Sequence, residues 1–184
     1  MHRIWHVVRG FVVASGLACG SAQAAVADSA ANGFSVVETV HIAAPPDKVW
    51  AELVTPSHWW SPLHSYSHNA ANLSLEQRAG GCWCEALPNA GSVQHAVVVR
   101  LIPGTALVVR GAFGPLQSMG VEGALTVVLK PAGGGTDLTA TYNVGGYLKD
   151  GLAVLAAPVD SVIGEQFNRL KSQVETGSPE GKEH

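Results

Sequence analysis

Hydrophobic and polar positions along the chain change period three times, and those changes divide it into elements. Phe34 to Ile42 alternates, with Val36, Val40 and Ile42 on one face, which predicts a strand. Pro45-Pro46-Asp47 then opens a helix that holds Val49, Trp50 and Leu53 and stops at Pro56. A second short helix is expected over Ser57 to Trp60, followed by an irregular stretch to Asn72. A run of strand-like segments follows: Leu73–Arg78, Cys82–Leu87, Ser92–Ile102, Thr105–Phe113, Val121–Lys130 and Thr136–Val144. The turn signals Gly80-Gly81, Pro88–Gly91, Pro103-Gly104, Gly114-Pro115 and Gly133-Gly134-Gly135 separate them. The last segment returns to helical spacing, with Val159, Val162, Ile163, Phe167, Leu170 and Val174 on one stripe.

This order of strand, two helices, about six antiparallel strands and a long terminal helix predicts an α+β domain. A twisted antiparallel sheet of six to seven strands needs its apolar face covered, and one amphipathic helix does it. A single helix across a strongly curved sheet leaves room for a ligand between them. The 47% hydrophobic composition is enough for a sizeable core.

The ends of the chain read differently. Residues 1–9 carry Arg3 and Arg9 and no acid, Gly10 to Gly20 is apolar, and Ala22-Gln23-Ala24 fits a signal-peptidase site. These features predict a secretory signal over residues 1–24, cut after Ala24, and hence a periplasmic or secreted protein. The apolar run is shorter than the roughly 20 residues of a transmembrane helix, so no stable membrane insertion is expected after cleavage. Residues 25–33 read as a flexible tether, 34–175 as the folded domain and 176–184 as a disordered tail. Without the signal, nine basic side chains face fourteen acidic ones. That balance, with no basic stripe, excludes a typical nucleic-acid binder.

The run Ile42-Ala43-Ala44-Pro45-Pro46-Asp47-Lys48-Val49-Trp50, the Trp59-Trp60 doublet, Gly80-Gly81 before a strand and a terminal helix near Pro158 together resemble the START-like (SRPBCC) superfamily. The likeness runs from Phe34 to Glu175 and is to the branch of heat-shock ATPase activators and polyketide cyclases. It implies a helix-grip fold and a small hydrophobic or amphipathic ligand, carried or sensed. A cofactor-free cyclase-, hydrolase- or isomerase-type enzyme and a protein-interaction module are the alternatives, and a homodimer stays open. A shared fold does not transfer an activity. Export sets the chain apart from an activator of a cytosolic chaperone. No Gly-x-x-x-x-Gly-Lys-Ser/Thr stretch is present to cradle phosphates, and no cofactor is expected.

Strand parity places Glu85 on the face of Trp83 and Leu87, and His95 on the face of Val93, Val97, Val99 and Leu101. A symmetric Pro88–Gly91 turn would set Leu87 opposite Val93 and Glu85 opposite His95. In that register the two form a candidate acid/base pair, each favouring the other's charged form. The competing reading is a structural pair that satisfies two half-buried polar groups. Aromatic residues expected at a ligand are Trp83, Phe113, Tyr142 and Phe167, with Trp60, His64 and Tyr66 at the entrance. One tryptophan of the Trp59-Trp60 doublet is expected at the cavity mouth or in solvent, and Gly114–Gly120 reads as a flap. His58, His64, His68, Cys82 and Cys84 do not follow the spacing of closed zinc sites, so no metal is expected. On an extended strand Cys82 and Cys84 would stand about 6.6 Å apart, which predicts two free thiols.

Overall fold

The computed structural model describes residues 23–181. The candidate signal segment lies outside these residues, apart from Gln23 and Ala24. Eight strands form one antiparallel sheet: β1 (Gln23–Ala30), β2 (Gly33–Ile42), β3 (Leu73–Leu75), β4 (Cys82–Ala86), β5 (Ser92–Ile102), β6 (Ala106–Arg110), β7 (Gly120–Ala132) and β8 (Gly135–Tyr147). Their order across the sheet is β1-β2-β8-β7-β6-β5-β4-β3. Helix α1 (Pro46–Leu53) follows β2, and α2 (Ala156–Thr176) closes the chain across the sheet.

Sequence and structure agree on this architecture, with one strand added at the edge and the expected second helix over Ser57–Trp60 reduced to a 3-10 turn over Pro56–His58. Residues 25–30, read above as part of a tether, belong to β1 and pair with β2 from Gln23↔Thr39 to Ala30↔Gly33. Their Ala/Ser/Asp composition carries no strand alternation; the pairing is supplied by the open edge of β2. Beyond α2, Gly177 takes the left-handed conformation that caps the helix, and Arg169 Nη1 meets Glu180 Oε1 at 2.7 Å.

The core lies between the sheet and α2. Alternation on β2 and β8 sends Phe34, Val36, Val40, Ile42, Leu138 and Tyr142 inward. From α2 come Ile163, Phe167 and Leu170. Gly133 and Gly134, both at positive φ, form the two-residue turn of the long β7–β8 hairpin.

Candidate functional site

Between the concave sheet and the first half of α2 lies a cavity of about 650 Å³. One wall is aromatic: Trp60, Tyr66, Phe113 and Tyr142. The other is aliphatic, with Val159, Val162 and Ile163 from α2. The turn over Gly114–Ser118, anticipated as a flap, is a 3-10 helix whose Leu116 closes one side. His64 stands at the rim, its Nε2 3.0 Å from Glu165 Oε2. Leu63 stands beside it, 79% exposed.

The aromatic wall is held from behind. Trp60 stacks on Phe113 at 5.8 Å, and Trp83 meets both edge-on, at 5.3 and 5.4 Å. Phe113 in turn meets Tyr142 at 5.6 Å. The Tyr142 hydroxyl donates to Gly111 O at 3.0 Å and accepts from the Phe113 N–H at 3.2 Å. Burial, partly countered by that N–H and reinforced by the Glu122 charge, pushes this phenol up to about 12. It is a fixed neutral group. Gly123 makes room for it, since a Cβ there would lie 2.5 Å from the Tyr142 ring and hydroxyl.

Five of the seven expected ligand-facing residues therefore line the cavity: Trp60, His64, Tyr66, Phe113 and Tyr142. Trp83 and Phe167 do not; each is 1% exposed and packs behind, Phe167 against Trp59. Both tryptophans of the doublet are buried, which corrects the solvent-facing alternative. Trp59 anchors in the core by donating Nε1–H to Glu52 O, while Trp60 forms cavity wall. The aliphatic wall was missing from the sequence-based list of site residues, although the α2 stripe contained it.

Glu85 and His95 meet, but not as expected. Glu85 stands opposite Val93, and the β4–β5 register shifts between Trp83 and Cys84, leaving His95 as the extra residue of a bulge. From that bulge His95 reaches diagonally, bringing Nε2 to 2.9 Å from Glu85 Oε2. The shift also reverses parity beyond it: Ala96 and Val98 face the core, while Val99 is 45% exposed. The expected inward placement of Val97 and Val99 is thus corrected, because alternation restarts after a bulge; Leu101, beyond a second shift between Val98 and Arg100, packs against the core as expected.

The pair does not line the cavity. It sits one layer behind, with the His95 ring 5.9 Å from that of Tyr66 and 6.4 Å from that of Phe113. Glu85, 1% exposed, also accepts the backbone N–H groups of Tyr66 and Ser67. Burial alone would raise its pKa, but hydrogen bonds from Ser67, Tyr66 and His95 outweigh burial and hold it below the ordinary carboxylate value. The carboxylate is therefore an anchor for the loop that presents Tyr66. The Tyr66 hydroxyl closes that loop over the mouth by donating to Gly114 O at 2.9 Å.

The reading of the cysteines is corrected as well. The Cys82 and Cys84 Cα atoms stand 5.3 Å apart, and the two side chains form a disulfide. The histidines are dispersed: His58 pairs with Glu52 and His64 with Glu165. Among the described residues no three metal-ligating side chains converge.

A curved antiparallel sheet gripping one long helix over an apolar cavity defines a START-like helix-grip domain. Residues 33–175 match the family model described as polyketide cyclase / dehydrase and lipid transport, and the chain belongs to that family. A search of curated proteins returned no match. Solved structures share the fold at low identity. A protein from Rhizobium leguminosarum is 19% identical, with a TM-score of 0.56 over 80% of this chain and 97% of its own. The Aha1 dimer from Colwellia psychrerythraea is 19% identical, with a TM-score of 0.54 over 78% and 97%. A protein from Mesorhizobium loti is 18% identical, with a TM-score of 0.53 over 76% and 95%.

Proposed function

We propose that this chain is an exported carrier or sensor that encloses a small apolar or amphipathic molecule in the cavity between the sheet and α2. The observation that carries the reading is the composition of the walls, aromatic on the sheet side and aliphatic on the helix side. The few polar groups inside are largely committed to the protein. The Tyr142 hydroxyl is used twice, and Ser65 Oγ donates to Pro62 O. Apolar burial then supplies affinity, and the rim pair His64–Glu165 is the place for a polar end of an amphipathic ligand. Export is supported by the residue pattern of 1–24 and is consistent with the disulfide.

Within this reading Glu85 and His95 are positioning residues. They touch the backbone and ring of Tyr66 and stand behind the cavity wall. The enzyme alternative would need them to reach a bound molecule past Tyr66 and Phe113.

An environment-sensitive apolar dye titrated into the protein tests the reading. Saturable binding is expected, weakened at least tenfold by Ile163→Glu or Val159→Glu at unchanged circular dichroism. Dye binding untouched by both variants would place the binding elsewhere and sink the proposal.

A further inference from the structure

Among the described residues Glu38 has no hydrogen-bond partner in the core. It is fully buried on β2 between Val36 and Val40, on the side covered by α2. Neither of its carboxylate oxygens has a hydrogen-bond partner among the described residues. Asp160, one turn into α2, has a buried unpartnered Oδ1 of its own. Its charge adds to burial in pushing Glu38 up to about 7. The register partner of Glu38 on β8 is Ala140, so that side offers no counter-charge. No ion pair reaches either acid among the described residues. A fully buried carboxyl facing a half-buried one calls for a cation.

Strand pairing sets a backbone nitrogen on the strand next to Glu38. On β1, Ala24 stands opposite Glu38 and Ala25 opposite Val37. The pattern Ala22-Gln23-Ala24 marks the bond after Ala24 for signal peptidase. We propose that the α-ammonium group of Ala25, created by that cut, is the cation that Glu38 and Asp160 receive. The inference rests on the export reading above. Signal peptidase adds one water across the Ala24–Ala25 peptide bond. Ala24 leaves with the new carboxylate, and the Ala25 nitrogen takes up protons to become the ammonium. A neutral amide on the strand paired with that of a buried acid is thereby replaced by a charge of the opposite sign. Maturation converts an unpaired buried acid into an ion pair, so the processed protein is the better folded one at neutral pH.

The sign of the effect follows from linkage. The ammonium's pKa is raised by its partner, so its contribution is complete below the ordinary α-amino value and is lost as pH rises through the raised one.

The test uses protein from the exported fraction, with its N-terminus read by intact mass. Its α-amine is then tagged with ¹³C-dimethyl groups and titrated by NMR. The expected midpoint lies about one unit or more above the ordinary α-amino range of roughly 7.7–8.0. Glu38→Gln should return it to that range, and Asp160→Asn should lower it part of the way. At pH 7 the chain beginning at Ala25 should melt several degrees above one beginning at Gln23, which serves as control if Glu38→Gln does not fold. A protein that begins at Ala25 with an ordinary midpoint and no melting advantage overturns the ion pair and leaves export standing. An N-terminus at any other residue overturns the cleavage site, and the ion pair with it.

Discussion

Two buried glutamates in one sheet have opposite fates. Glu85, on β4, accepts two backbone N–H groups and meets an imidazole, so its pKa falls below the ordinary value although it is buried. Glu38, on β2, is equally buried, accepts nothing and faces another acid, so its pKa rises to about 7. Burial penalises both charges; what decides the outcome is the number of donors within reach. The difference also separates their roles. Glu85 organises the mouth of the cavity, whereas Glu38 is a charge in need of a partner.

The sharpest way to break the comparison is to remove Glu85. Glu85→Ala leaves two N–H groups and a buried imidazole without their acceptor, and should cost about 3–5 kcal/mol by chemical denaturation. A loss below about 1 kcal/mol would mean that the loop over Ser65–Ser67 holds its shape unaided.

Glu38 should respond in the other direction. Its raised pKa means that stability is full below the ordinary value of 4.5 and is lost as pH rises through about 7. In a chain that begins at Gln23, Glu38→Gln should therefore be stabilising at pH 8 by up to about 3 kcal/mol and near neutral in effect at pH 4. For Glu85 the folded value is lowered, so its contribution is present above the ordinary value and is lost as pH falls through the folded one. Denaturation midpoints across pH for the two variants should thus slope in opposite senses, and parallel slopes would dissolve the contrast.

A smaller effect concerns what holds His95 in place. The Cys82–Cys84 disulfide closes a very short loop at the bulge, so its reduction should cost only about 1–2 kcal/mol. The accompanying change expected is in the NMR signals of His95, through the relaxed bulge. The smallest change is Tyr66→Phe, which removes the hydrogen bond to Gly114 O and should cost about 0.5–1.5 kcal/mol. Its clearer sign is faster release of a bound apolar dye.

Much of this was legible in the chain itself. The 2.0 and 3.6 periods, with the Gly and Pro turns between them, mark β2, the meander and α2 closely, and a curved sheet under one helix implies the cavity. Chemistry that depends on exact pairing was less legible. The bulge at His95 leaves no mark in composition, yet it sets the β4–β5 register and turns Ala96 and Val98 inward. The Glu85–His95 contact was anticipated through a register two residues off; a diagonal reach from the bulge replaced the direct opposition. Residues 25–30 form a strand because β2 offers an edge, a tertiary cause with no local signature. Glu38 shares the inward parity of Val36 and Val40, so its burial was readable, but its lack of donors was not.

The space between the aromatic wall and α2 is proposed to hold an apolar molecule. This occupancy is tested most directly by mass spectrometry of protein purified from its own host's exported fraction, first under native conditions and then denatured. An added organic mass is expected on the native protein, released on denaturation and absent from the Ile163→Glu variant. A native mass equal to that of the bare chain, in protein that also fails to take up an apolar dye, would contradict it.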